Sequence, residues 1–240
     1  MKIFGLIGHP LEHSFSKSYF EDKFEKDGLP CRFVNYDIES LKSIRDIISN
    51  NPDLKGFTVT HPYKKEIITY LDCIDEDAKA IGAVNVVHVL DNKLYGYNTD
   101  FIGFNGLLEE AISNMCINSA YVCGTGGASE AVKYVLNHKG IKFHTLSRKD
   151  KSYEDIMRNG FKENELVVNA TPVGMYPNCS DILDLPYDTA NKTNVFIDLI
   201  YNPEETMFMK EAKRYGAKAY NGLKMLTMQA EAAWGIWSDF

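Results

Sequence analysis

Residues 120–131 read Ala120-Tyr-Val-Cys-Gly-Thr-Gly-Gly-Ala-Ser-Glu-Ala131. This order is a short apolar strand, a glycine-rich turn and the beginning of a helix. Gly124 permits the tight turn, and Gly126, followed by Gly127 and Ala128, lets backbone amides approach a pyrophosphate. The free N–H groups and the dipole of the following helix then favour negative charge. The third fingerprint position, three after Gly126, holds Ser129 where glycine or alanine is usual. A glycine turn alone binds nothing in many proteins, but this one has the strand–turn–helix setting that a dinucleotide site requires.

About twenty residues further on, the second strand of such a unit ends beside the adenosine ribose. Here the strand expected at Lys142–Leu146 runs into Ser147-Arg148-Lys149. A site for NAD places a carboxylate there, whereas an arginine accommodates the 2′-phosphate of NADP. Arg148 offers a planar donor fork and Lys149 adds charge. Asp150 follows directly, and a solvated basic turn is the alternative reading. The expected cofactor is NADP.

Outward from this turn, strand-like and helix-like stretches alternate along the whole chain, which indicates α/β architecture with largely parallel sheets. Before it, strands are expected at Lys2–Ile7, Arg32–Tyr36, Gly56–Thr60, Val84–Leu90 and Lys93–Tyr97, the last two joined by a hairpin turn at Asp91-Asn92. Helices are expected at Ser16–Lys26, Leu41–Ile48 and Lys64–Leu71. After it, strands are expected at Ala120–Cys123, Lys142–Leu146, Leu166–Asn169 and Asn194–Asp198, with helices at Ser129–Asn137, Tyr153–Arg158 and Glu205–Tyr215. In the last stretch Leu223, Leu226, Ala230, Ala233, Trp234 and Trp237 share one helical face. The pattern restarts near Asn118, so the expected organisation is two domains. Residues 1–100 form an α/β domain to which 221–240 return, and 101–220 form a Rossmann-type nucleotide-binding domain.

The chain has 240 residues, 45% hydrophobic and 25% charged, and a formal net charge of −7. Length suits one large or two small domains, and the acidic balance argues against a nucleic-acid partner. Apolar runs fall far short of the roughly 18 residues that span a bilayer. His9, Pro10 and Glu12 interrupt the first of them before a signal-peptide core forms. The five cysteines are odd in number and widely spaced, with no CxxC or Cys/His ligand pattern. A reducing, cytoplasmic location and no metal are therefore expected.

Three segments of the first half carry more polar groups than turns need. In Gly8-His-Pro-Leu-Glu-His-Ser-Phe-Ser-Lys, Ser14 and Ser16 precede a helix. Either suits an N-cap, and two hydroxyls at a helix start also suit a carboxylate. In Gly56-Phe-Thr-Val-Thr-His-Pro-Tyr-Lys-Lys-Glu, Lys64 stands just beyond a strand end. Gly82-Ala-Val-Asn-Val and Gly96-Tyr-Asn-Thr-Asp bracket the hairpin, and Asn98 or Asp100 equally suits the cap of the next helix.

In this order the segments resemble the shikimate dehydrogenase family. The resemblance covers nearly the whole chain: the paired serines, Val-Thr-x-Pro-x-Lys, Gly-Ala-Val-Asn, Asn-Thr-Asp-x-x-Gly and Gly-x-Gly-Gly-Ala-Ser. It continues through Ser-Arg-Lys, Asn169-Ala-Thr-Pro-Val-Gly-Met, Asp198-Leu-Ile-Tyr-Asn-Pro and Gly222-Leu-x-Met-Leu…Gln229-Ala. Each element is modest alone, and the ordered set is specific. Thr58, His61 and Val86 depart from the commonest pattern, which has asparagine, an aliphatic residue and threonine there.

The resemblance implies an NADP-dependent reduction of 3-dehydroshikimate to shikimate, or the matching reaction on quinate or another hydroxylated cyclic acid. It implies that Ser14 and Ser16, helped by Tyr201, bind the substrate carboxylate. Thr60, Asn85 and Gln229 would bond ring hydroxyls, and Lys64 and Asp100 would be the catalytic pair. Gly124, Gly126, Gly127 and Ala128 would line the pyrophosphate turn, with Ser147, Arg148 and Lys149 at the ribose phosphate. Asn169, Thr171, Met175, Gly222 and Met225 would lie near the cofactor. A reading from another class is a dinucleotide-binding regulatory module without turnover. Lys64 and Asp100 argue against it, since a pure binder needs no proton donor. The expected partner is a small-molecule substrate, on a monomer or homodimer.

Overall fold

A computed structural model describes residues 1–11, 15–113, 115–147 and 151–238. Ser14, Arg148 and Lys149 lie outside the described residues. The chain divides into two compact units, Met1–Thr99 with Ala230–Phe240, and Asp100–Gln229. Of the stretch expected to return to the first domain, 221–229 thus belongs with the second unit and only 230–240 with the first.

The first unit contains β1 (Lys2–Gly8), α1 (Phe15–Lys26), β2 (Cys31–Asp37), α2 (Ile44–Asn50), β3 (Leu54–Val59), β4 (Cys73–Ile74), α3 (Glu76–Ile81), β5 (Val86–Leu90) and β6 (Lys93–Tyr97). Its strands form one sheet in the order β2-β1-β3-β5-β6-β4. β1 is parallel to both β2 and β3, whereas β5 is antiparallel to β3 and to β6. The β5–β6 turn places Asp91 at φ 50° and Asn92 at φ 61°, the double left-handed geometry whose twist matches a two-residue hairpin. One face of the sheet buries Ile7, Leu41, Ile44, Phe57, Ile67 and Val84. The other cluster contains Phe4, Phe20, Phe33, Val86, Ala230, Ala233 and Trp237. Trp237 stacks on Phe4 at 4.9 Å and donates its indole N–H to the Val87 carbonyl at 3.1 Å. A Cβ on Gly56 would lie 2.3 Å from that indole nitrogen, so glycine there makes room for the ring.

The second unit begins with α4 (Asp100–Ala111) and continues through β7 (Ser119–Cys123), α5 (Gly127–His138), β8 (Lys142–Leu146), α6 (Lys151–Asn159), β9 (Glu165–Asn169), β10 (Val195–Asp198), α7 (Met207–Arg214) and β11 (Lys218–Tyr220). The last helix, α8 (Leu223–Ser238), starts in this unit. The sheet order is β11-β10-β9-β7-β8, with every neighbouring pair parallel. β9 is buried at every position, as expected for a strand covered on both faces.

One element differs in type from expectation. Lys64–Leu71 is not an α-helix: only Glu66–Tyr70 is helical, and it is a tight 3-10 turn. Tertiary anchors shape this segment. Tyr63 is buried and donates its hydroxyl to the Ile38 carbonyl at 2.6 Å, while the Lys64 carbonyl accepts from Val84 N–H at 2.7 Å.

Candidate functional site

Because β1 and β3 run parallel, β5 opposes β3 and β6 opposes β5, the strand ends next to the candidate residues share one edge of the first sheet. They are the carboxyl ends of β1, β3 and β6 and the amino end of β5. The candidate residues of this unit follow or precede those ends. Ser16 is half-buried in the first turn of α1. Thr60 follows β3 directly, its N–H bound to the Ile7 carbonyl at 2.9 Å, and Tyr63 N–H closes the turn on the Thr60 carbonyl at 2.9 Å. Lys64 comes next, half-buried, its backbone held as described above.

Asn85 is buried just before β5. Its Nδ2 donates to Thr99 Oγ1 at 3.0 Å, and its Oδ1 accepts from Thr99 N–H at 2.6 Å. Its carbonyl accepts from Val59 N–H at 2.8 Å, which ties β5 to the end of β3. Asn98 is buried too and donates to the Ala83 carbonyl at 2.9 Å. These bonds lock the two ends of the hairpin to each other. Thr99, to which the sequence assigned no role, is the residue that fixes the Asn85 amide.

The loop after β1 has its own tether. Asp37, at the end of β2, accepts from Leu11 N–H at 2.9 Å and from His9 Nδ1 at 2.6 Å. These bonds hold the Asp37 carboxyl below the usual carboxylate range, the Leu11 amide contributing most. The segment that leads toward the paired serines is thereby pinned to the neighbouring strand.

The three departures from the family pattern lie beside the candidate residues at this edge. Thr58 and Val86 oppose each other across β3–β5. Thr58 is buried with its hydroxyl directed to the Gly5 carbonyl at 3.3 Å, and Val86 packs in the cluster of Trp237. His61 is exposed.

In the second unit all five parallel strands end on one edge, and the order of the sheet reverses around β7. Ligands of open α/β sheets bind at such a switch point, beyond the carboxyl ends of the strands. Gly124 follows β7 with φ 115°, a region that side chains rarely adopt, and a Cβ there would meet the Ala170 carbonyl at 2.8 Å. Gly126 is the N-cap of α5 with extended backbone, and glycine brings no side chain of its own to cap the helix. A Cβ on Gly126 would meet no atom within 4 Å, so packing does not demand a glycine there. The absent Cβ leaves open space at the start of α5. Ser129 is fully buried and donates to the Gly124 carbonyl at 2.7 Å. The imperfect third fingerprint position thus braces the turn from within.

Asn169, at the end of β9, is fully buried. Its Nδ2 donates to the Val173 carbonyl at 3.2 Å and to Asp198 Oδ1 at 3.1 Å. Its Oδ1 accepts from Thr171 N–H at 3.0 Å and Thr171 Oγ1 at 2.7 Å. Both donors and both acceptor positions of the amide are used, so Asn169 shapes the loop after β9 and its side chain is not presented outward. Thr171 is half-buried in that loop and Met175 is exposed at its end.

Asp198, at the end of β10, accepts from Asn169, from Ile200 N–H at 3.0 Å and from Thr206 Oγ1 at 2.6 Å. Burial pushes its carboxyl up to about 6 against those three bonds. Tyr201, half-buried, follows on the same strand end, and Ser147 stands half-buried directly after β8. Gly222 passes over the carbonyl of Leu199, where a Cβ would come within 2.1 Å of the oxygen, so only glycine is accommodated.

Two further residues expected near the ligands are buried. Met225 is buried with Phe104, Leu107 and Leu108, and its carbonyl would meet a Cβ on Gly103 at 2.3 Å. Gln229 is buried and donates to the Leu226 carbonyl at 2.9 Å. Asp100, the first residue of α4, is buried at the helix start.

The arrangement suits a dinucleotide at the second sheet: a glycine turn after β7, a helix that starts on a glycine N-cap, and a braced loop on the next strand. The first sheet gathers hydroxyls, an amide and a lysine at one edge, the groups that a small polar anion with hydroxyls would need.

Residues 6–87 match the family model described as the shikimate dehydrogenase substrate binding domain. A shikimate dehydrogenase (NADP(+)) of Methanococcus maripaludis is 37% identical over 99% of this chain and 92% of its own length. The crystal structure of shikimate dehydrogenase from Aquifex aeolicus has a TM-score of 0.87 and 34% identity, covering 100% of this chain and 93% of that one. That of shikimate 5-dehydrogenase from Thermus thermophilus in complex with NADP(H) and shikimate has a TM-score of 0.84 and 29% identity, covering 100% and 94%. With such identity over nearly the full length of both chains, this chain belongs to the shikimate dehydrogenase family.

Proposed function

We propose that the chain is an NADP-dependent oxidoreductase that interconverts 3-dehydroshikimate and shikimate, a step in the formation of aromatic amino acids. The observation that carries this reading is the edge of the first sheet, where Ser16, Thr60, Lys64 and Asn85 follow or precede adjacent strand ends. NADP would be held by the Gly124–Ala128 turn and the first amides of α5, with Arg148 on the 2′-phosphate and the loop bearing Thr171 alongside. When bound in reduced form it supplies the hydride.

The chain's own residues do the rest. Reduction of a ring ketone builds negative charge on its oxygen, and a positioned cation stabilises that charge. Lys64 has the required group on a backbone clamped from both sides. Its ammonium donates a proton to the oxygen as the hydroxyl forms, and in the reverse direction the neutral amine takes that proton back. Asp100 accepts from the substrate hydroxyl. General acid–base help of this kind is worth about 10²–10⁴ in rate. Ser14, Ser16 and Tyr201 donate to the carboxylate, and Thr60, Asn85 and Gln229 distinguish the ring hydroxyls.

We place the enzyme in the cytoplasm as a monomer or homodimer. Among the described residues, no helix is long and apolar enough to cross a membrane. The test is complementation. Expression in a bacterium lacking its own shikimate dehydrogenase should restore growth without aromatic supplements, and the Lys64→Ala variant should not. Failure of the wild-type chain, soluble and expressed, contradicts the proposal.

A further inference from the structure

We propose that Asp198 is a positioning residue of the nucleotide site: its carboxylate holds Asn169, and through Asn169 the Ala170–Met175 loop, in the shape that meets the cofactor. The inference rests on the reading of the chain as an NADP-dependent enzyme. An asparagine amide has two orientations that differ only in exchange of oxygen and nitrogen. An ionised carboxylate only accepts hydrogen bonds. Asp198 Oδ1, 3.1 Å from Asn169 Nδ2, therefore dictates that the Asn169 NH₂ faces β10. The Asn169 oxygen must then face the loop, where it accepts from both Thr171 N–H and Thr171 Oγ1. Thr171 Oγ1 in turn accepts from Val173 N–H at 3.2 Å, and the Val173 carbonyl returns to Asn169 at 3.2 Å. The whole bend is closed on one amide that Asp198 anchors from the next strand, in the same orientation that Thr171 N–H and the Val173 carbonyl require.

Asp198 is itself held in place. Ile200 N–H donates to the same oxygen, and Thr206 Oγ1 donates to the other at 2.6 Å. All three neighbours are donors, and the carboxylate is fully buried among them. The loop it shapes also touches the glycine turn. The Ala170 carbonyl lies 2.8 Å from the place where a Gly124 Cβ would stand, and Ala170 N–H bonds the Cys123 carbonyl at 2.9 Å. A displaced loop would therefore disturb the pyrophosphate turn as well as Thr171. Asp198 itself touches neither cofactor nor substrate.

The test is NADP binding by titration calorimetry on the purified full chain, with the melting temperature of the unliganded protein measured in parallel. The wild type must first bind NADP and oxidise shikimate, and failure there defeats the proposed function. Given that, Asp198→Ala should weaken NADP about tenfold or more, since the Asn169 amide loses its anchor on β10. Asp198→Asn, which keeps an acceptor toward Asn169 and Ile200, should stay within about threefold of wild type. If Asp198→Ala does not fold, Thr206→Val removes one of the bonds that aim the carboxylate and should weaken NADP about threefold or more. A folded Asp198→Ala or Thr206→Val variant that melts early yet binds NADP like wild type overturns the inference. So does an Asp198→Asn variant that binds as poorly as Asp198→Ala.

Discussion

Gly126→Ala separates a glycine kept for a ligand from one kept for the fold. The backbone at Gly126 has φ −77° and ψ 179°, which alanine adopts without strain, and the added methyl would meet no atom within 4 Å. The only structural cost is at the N-cap of α5, where glycine is preferred to alanine by about 1 kcal/mol or less. That amounts to a few degrees in Tm for a chain of this size. The same methyl would occupy open space at the turn where the pyrophosphate is proposed to bind. Losing one hydrogen bond to a charged group costs about 1.5–3 kcal/mol, hence about 10–100-fold in NADP affinity. Gly124→Ala should behave in the opposite way. Its φ of 115° and the Ala170 carbonyl at 2.8 Å impose strain on the folded chain itself, of about 1–3 kcal/mol. Calorimetric titration with NADP and scanning calorimetry of the unliganded variants measure both quantities. A Gly126→Ala protein with wild-type NADP affinity would refute the assignment of this turn.

Three further outcomes are expected. Lys64→Ala should lower kcat for shikimate oxidation about 10²-fold or more with a smaller change in KM, and near-normal turnover would remove Lys64 from the chemistry. Arg148→Ala should weaken NADP about 10–100-fold and leave NAD almost unchanged, because only NADP carries the 2′-phosphate; equal losses contradict the role. His88, buried in β5, has its pKa held below the usual range chiefly by burial, with Lys2 and Lys55 adding to the effect. The unfolded chain therefore takes up a proton as pH falls through about 6.5 while the folded chain resists it, so stability falls from pH 7 toward 5. Denaturant titrations of wild type and His88→Gln should converge over that range if this is right, and a constant difference would show that His88 does not contribute the slope.

Elements with strong local chemistry are legible in the sequence. The strand, glycine turn and helix at 119–138 announce themselves because each residue type there has a mechanical reason, and Asp91-Asn92 takes both left-handed positions of its turn. Short elements are not legible. β4 has two residues and β11 three, too few for alternation to show, and they exist because a neighbouring strand offers a ladder. α3 is passed over for its six residues, although Asp75 caps Asp77 and Ala78 N–H and Gly82 closes it at φ 71°, a start and stop visible in the string. Lys64–Leu71 reads wrongly as an α-helix because the clamps on Tyr63 and Lys64 come from residues 38 and 84, and no local propensity reports them. The candidate site divides along the same line. Residues at strand ends can be picked out, whereas the commitment of Asn169 depends on a carboxylate 29 positions later, and the burial of Met225 on a close approach to Gly103.

The most direct measurement is kcat/KM at 340 nm for the purified chain with shikimate or quinate, each supplied with NADP or NAD. The expected result is the highest value for shikimate with NADP, lower values for either change alone, and loss of the NADP preference when Arg148 is replaced. Turnover that is faster with quinate, equal turnover with NAD, or binding of NADP without any turnover would contradict the proposed function.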